Sequence, residues 1–361
     1  MAGSLVNREA TSEEARRVAV RSLADAVRPS VGRALGEFGL TMALLLGSWT
    51  VCARGLFPLA HDRGGAWWLV YVVSCLGLAT WVVRLFIIQH DAGHGGLSPS
   101  KLLNQLIGHC CSVFEFTPFI HWHRHHWHHH RTAGHLEKQD GLGDIYTLTV
   151  AGYRALKPWQ QRFYRAIRNR VHFFLIMPTS LFLILHRLPL VHFPLSPIKQ
   201  RPSAVEWFNI LALDAVYGAL GWWAWTHWAF AQPWVISYAI AFAVAATTGI
   251  VLFYTQHQFE TTYYAHDDAW SFYESSMKGS MTLRLPFGWM EWAIGYINYH
   301  SIHHLKPNIP MYDLRRCYVA LTQAGIRMAE CRLGDIWRTF DLALWDEKQQ
   351  RMVSFAEADA P

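Results

Sequence analysis

The stretch LVYVVSCLGLATWVVRLFIIQHDAGHG, Leu69–Gly95, decides how the chain is read. It is almost unbroken apolar sequence up to Gln89 and then becomes His90-x-x-x-His94. A bilayer span needs about 20 mostly apolar residues, and Trp67–Gln89 supplies them. Three more runs qualify: Phe38–Leu59, Trp207–Trp228 and Pro233–Gln256. All four are expected to span. A fifth run, Val171–Leu185, is short for a span and contains Pro178. It is expected to lie in the interface or on the cytosolic part.

Composition points the same way. Of 361 residues, 52% are hydrophobic and only 16% charged, where a soluble domain carries about a quarter charged. This excludes a disordered or fibrous chain and disfavours an ordinary soluble enzyme. The six cysteines form no C-x-x-C pair and read as small buried hydrophobes. The first 35 residues show no apolar signal-peptide core. Thr11–Glu14 has the form of a capping box, and the segment after it is either an amphipathic helix on a membrane surface or a solvated one.

Lys and Arg near the spans set orientation. The N-terminal segment, Arg162–Arg170, and Lys199 with Arg201 are basic. The two short connections carry only Arg54 and Arg63 in one and neither residue type in the other, Ala229–Gln232. Both termini and residues 90–206 are therefore expected in the cytoplasm. Trp222, Trp223, Trp225 and Trp228 would mark the far interface as an aromatic belt. Asp214 is a carboxylate inside the third run, read either as functional or as paired with a neighbour.

Of 21 histidines, eleven lie between His90 and His135. Three clusters flank the expected spans on the cytosolic side: His90/His94, the run His121–His130, and His300/His303/His304. On a helix, positions i, i+3 and i+4 share a face. H-x-x-x-H thus aims two imidazoles at one point and H-x-x-H-H aims three. Eight such ligands are too many for one tetrahedral zinc and suit two metal ions. Imidazole accepts zinc, copper, iron or nickel. The second run fits the pattern in two registers, His125/His128/His129 or His126/His129/His130, and His121, His123, His125 and His128 also read as a nonspecific metal-binding tract. His257, at the end of the fourth run, is a ninth candidate. A metal transporter is the competing class, but it should place ligands at mid-membrane, not at span ends.

The motifs HDAGHG (His90–Gly95), W-x-x-x-H-x-x-H-H (Trp122–His130) with TAGHLEKQD (Thr132–Asp140), QHQFE (Gln256–Glu260) and HSIHHLKPNIPMYDL (His300–Leu314) resemble the integral-membrane fatty acid desaturases, closest to acyl-lipid omega-6 (delta-12) members. The resemblance selects His126, His129 and His130 and adds His257. It implies an all-α fold, with four transmembrane helices and a cytosolic helical cap around a di-metal site. The implied ligands are His90, His94, His126, His129, His130, His257, His300, His303 and His304. They would hold two irons that use dioxygen to insert a cis double bond into an acyl chain. Hydroxylation or ketolation of an acyl chain or carotenoid by a similar centre is the alternative. Asp91, Glu137 and Asp140 are candidate acceptors for imidazole N–H groups.

Residues 1–35 are expected as a cytosolic or interfacial segment, 36–320 as the membrane domain and 321–361 as a cytosolic tail. The substrate would be a membrane lipid or acyl carrier. No stretch resembles a fused cytochrome b5 or ferredoxin, so a separate donor of one of those types is expected; no nucleic-acid motif is seen. The cluster Arg165/Arg168/Arg170 would dock an acidic carrier or anionic headgroups, or simply reflect positive-inside topology. One departure stands out: where the family reads G-N-I-x-Y-H, this chain reads Gly295-Tyr-Ile-Asn-Tyr-His300, with Tyr296 at the Asn position and Asn298 displaced.

Overall fold

The computed structural model describes residues 14, 16–188 and 201–360; Thr11 and Lys199 lie outside them. The first apolar run folds as α1, Val31–Arg63, a continuous 33-residue helix with one π-wound stretch at Val51–Leu56. Ser30 caps its start by accepting from Arg33 N–H. Gly64 and Gly65, both at positive φ, turn the chain into α2, Ala66–Gly93. The amphipathic α3, Lys101–Glu115, and the histidine-rich α4, Phe119–Thr132, come after it. Next come α5, Ala204–Thr226, and α6, Trp228–His257. Near the C-terminus lie α7, His300–Leu305, and α8, Met311–Gln323.

Among the described residues, α1, α2 and α6 are long and apolar enough to cross a membrane. At 1.5 Å per residue, α2 and α6 are about 42 and 45 Å long, against a hydrocarbon core of about 30 Å. Both exceed that thickness, and the histidines lie at their C-terminal ends. The burial pattern agrees: Leu69, Val70 and Val73 near the start of α2 are exposed, while Leu78, Leu85 and Ile88 near its end are buried.

The expected third span falls on α5, which is long enough but less apolar than the other three. Asn209, Asp214 and its many Trp and Tyr side chains lower its hydropathy. Asp214 is paired, its carboxylate 2.7 Å from Arg187 Nε. The run Val171–Leu185 is no single helix. It breaks at Ile176, two residues before Pro178, into Arg170–Leu175, Met177–Ser180 and the π-wound Leu181–Leu185, and lies against α6 through Phe173 and Phe182.

The fold is mostly helical rather than all-α. Short strands are β1 (Leu148–Thr149), β2 (Met281–Arg284), β3 (Ala329–Arg332), β4 (Leu342–Asp346) and β5 (Arg351–Ser354). β4 and β5 form an antiparallel hairpin, and β1 joins β4 in parallel with Leu148 opposite Leu344. β2 pairs with β3 in parallel, Met281 opposite Ala329. Residues 321–360 are therefore not a tail. Leu344, Trp345, Met352 and Val353 are apolar, short-period and buried, and such residues pack as strands against the middle of the chain. The basic cluster is used internally too. Arg165 pairs with Asp359, Arg170 with Asp341, and Arg168 donates to Tyr146 O and Thr147 Oγ1. The C-terminal segment supplies those carboxylates, so part of the cluster's charge is paired within the chain.

Candidate metal centre

α4 begins after Pro118 and ends at Thr132, just before Ala133 and Gly134. Gly134 has φ +68, and a Cβ there would lie 2.4 Å from Tyr263 O; only glycine fits this turn. Along α4 each residue rotates by about 100°, so His126, His129 and His130 share one face while His121 and His125 point elsewhere. The facing set meets His90 and His94 from the end of α2, His257 from the end of α6, and His300, His303 and His304 from α7.

Two groups result. His90, His94, His126, His130 and His303 form one; His129, His257, His300 and His304 form the other. All nine are buried. In the first, Nε2 of His130 lies 3.0 Å from Nε2 of both His126 and His303. In the second, His257 Nε2 lies 3.2 Å from His129 Nε2 and 2.9 Å from His300 Nε2, which is 3.2 Å from His304 Nε2.

The outer nitrogens explain the orientation. His257 Nδ1 is 2.9 Å from Gly279 O. A carbonyl only accepts, so Nδ1 carries the hydrogen and Nε2 of the neutral ring carries the lone pair. His129 Nδ1 meets Asp144 Oδ1 at 2.6 Å, which fixes the same tautomer. Two inward lone pairs at 3.2 Å repel unless a cation lies between them. Both nitrogens of His94 and the Nδ1 atoms of His130, His300 and His303 have no hydrogen-bond partner. Burial, reinforced by the neighbouring imidazoles, holds His94, His126, His130, His300, His303 and His304 well below the ordinary histidine range. Neutral, converging, underpartnered imidazoles are suited to metal.

Asp91 Oδ1 lies 3.1 Å from His90 Nδ1, and its other oxygen accepts Met311 N–H, tying α2 to α8. The other two candidate acceptors are placed differently. Glu137 reaches the half-exposed His266 and, at 3.2 Å, His135. Asp140 lies 3.3 Å from His125 Nδ1, outside the nine. Asp144 and the Gly279 carbonyl take the part expected of Glu137 and Asp140. Asp144 was within reach of a sequence reading, four residues beyond Asp140, but Gly279 carries no side-chain signal. Of the surplus histidines, His128 Nε2 meets Lys138 O at 2.8 Å, and His123 packs on His94 and Gly93.

A largely apolar cavity runs from this centre between α2, α4 and α6. Val82, Phe86 and Ile87 line one wall and Phe242, Ala245, Ala246, Gly249 and Ile250 another, with Phe182 between. His90, His126 and His300 border it, so it opens onto both histidine groups. Such a space accepts a flexible hydrocarbon and excludes water from its reacting carbons.

Residues 66–329 match the family profile described as "Fatty acid desaturase". The chain is 30% identical over 305 residues to a fatty acid desaturase of Bacillus subtilis, covering 83% of this chain and 82% of that one. It is 27% identical over 326 residues to an sn-1 acyl-lipid omega-3 desaturase (ferredoxin) of Synechocystis sp., covering 89% and 82%. To an sn-1 oleoyl-lipid 12-desaturase of the same organism it is 26% identical over 264 residues, covering 71% and 69%. Omega-3 and 12-desaturases stand at similar distance, so the comparisons do not single out the omega-6 branch.

Proposed function

Because the chain belongs to the fatty acid desaturase family, a family of membrane oxidoreductases acting on acyl chains, we infer that the nine histidines hold two irons. His90, His94, His126, His130 and His303 would hold one, and His129, His257, His300 and His304 the other. The tautomers set by Asp144 and Gly279 O, and the contact of Asp91 with His90, aim lone pairs inward. A di-iron pair there would supply the oxidation in which dioxygen, with two electrons from a donor protein and two protons, takes one hydrogen from each of two neighbouring methylenes and leaves as two waters.

The chain's own residues do the rest. The apolar walls hold an extended acyl segment beside both groups, which confines oxidation to a fixed stretch of carbons. Burial keeps bulk water away. The observation that carries this reading is the cavity bordered by His90, His126 and His300 together. The substrate class is an acyl lipid, as in the relatives' names, and a separate ferredoxin-type protein delivers electrons, as the name of the omega-3 relative states for that protein. α5 serves as a fourth span, with Trp222, Trp223 and Trp225 exposed near its end as an interfacial belt. Both termini and the metal centre face the cytoplasm.

The test is expression in a host that supplies a ferredoxin, with fatty acids analysed by gas chromatography and mass spectrometry and metals counted on the purified chain. A new cis monoene or diene together with two irons on the chain is the expected result. A hydroxylated or keto product, or a new double bond on an iron-free chain, would overturn it.

A further inference from the structure

Histidines on a second face of α4 build a cluster that the nine-histidine centre does not use. We propose that His121, His125 and Glu206 form a further metal site, for a single divalent ion of the zinc class. Their ligand atoms lie within 4.8 Å of one another, and the three residues are 0%, 1% and 2% exposed. His121 and His125 are one helical turn apart on α4, so their rings point the same way. Glu206 sits in the first turn of α5.

A simple hydrogen bond, His121 Nδ1 to Glu206 Oε1 at 3.2 Å, accounts for one contact only. It leaves His121 Nε2, His125 Nε2 and Nδ1 of the neighbouring His186 buried without a hydrogen-bond partner. His125 Nδ1 lies 3.3 Å from Asp140 Oδ2, and the His186 ring is 6.0 Å from that of His121. Three orphaned ring nitrogens in one buried spot are costly unless something binds them. Glu206 is oriented for ligation. Arg124, Ser203 N–H and Ser203 Oγ all occupy Oε2, which holds the carboxylate rigid and turns Oε1 toward the histidines. Two imidazoles and a carboxylate are a recognised zinc set. An ion there would lock α4 against α5 and fix the rotation that aims His126, His129 and His130 at the catalytic centre. The site stands on its own residues, while the count of equivalents in the titration rests on the proposed function, in which the nine-histidine centre holds two ions.

The test is a zinc titration of the full chain in detergent after metal stripping. The wild type should take up three equivalents. His121→Ala with His125→Ala, and separately the shape-preserving Glu206→Gln, should take up two while eluting from gel filtration as the wild type does. Two equivalents in the wild type, or three in Glu206→Gln, would overturn the proposal. The zinc absorption edge of a chain loaded with two irons and one zinc gives a check that needs no variant. A mixed imidazole and carboxylate shell is expected; an all-imidazole shell would place zinc in the nine-histidine centre and sink the idea.

Discussion

At the scale of single residues, the outer nitrogen of each imidazole decides what the inner one can do. Asp144 is the sharpest case, since it touches His129 Nδ1 and accepts Asp140 N–H as well. Asp144→Asn should cost about 10–100-fold in metal affinity or activity, read as iron content and product yield. Asp140→Asn, which faces His125, should keep both irons; loss of iron there would contradict the placement. Arg84 makes a different kind of argument. It is fully buried inside α2, where it reaches Glu37 of α1, Thr41 Oγ1 and Trp292 O. Removing one partner of a buried pair costs about 3–5 kcal/mol. Arg84→Leu should therefore lower the melting temperature in detergent far more than the exposed Arg63→Leu. The histidines of the centre were legible because imidazoles at helical spacing are rare. Arg84 was not, because one charge hardly disturbs a hydropathy window. Tyr296 was legible as a departure, and it sits at φ 56, a left-handed conformation that Asn tolerates and Tyr resists.

At the scale of elements, α6 carries Ala245, Ala246 and Gly249 along the cavity, and space for a Cβ at Gly249 is open. Gly249→Leu should fill part of the channel. The expected outcome is lower yield on long acyl chains than on short ones, with iron content unchanged. An unaltered chain-length profile would place the substrate elsewhere. The long apolar helices were readable because their patterns reach the length of about 20 residues that a span needs. The hairpin β4–β5 was not, because such short strands in a charged C-terminal region look like a tail until their partner β1, far earlier in the chain, is known. The register of the histidine run was ambiguous for a related reason. Spacing alone offers two faces of α4; the resemblance selects one, and that is the face that meets the histidines of α2, α6 and α7.

At the scale of the molecule, the nine histidines bring α2, α4, α6 and α7 to one point, where like lone pairs face each other. Chelation of the purified chain should lower its melting temperature, and ferrous iron should restore it. An ion present at 100 times its dissociation constant contributes about 2.7 kcal/mol. Unchanged melting would mean that the elements hold each other without metal. Topology is tested by impermeant maleimide on intact cells, with Cys110→Ser and Cys331→Ser as background. Asp62→Cys, at the end of α1, should label from outside, and Lys348→Cys, in the β4–β5 turn, only after permeabilisation.

His94 and His304, at the two ends of the candidate centre, are separated by 210 positions in the chain. At about 5–20 residues per second, the ribosome takes about 10–40 s to travel from one to the other. Until then each histidine group lacks the members supplied by α7, although α2 and α4 have already been made. The centre is therefore completed only when synthesis is nearly over. If the centre holds the two irons proposed, a newly made molecule passes through a stage in which most of its helices exist but the centre is empty, and in iron-poor cells that stage, rather than synthesis itself, should set how much working enzyme accumulates.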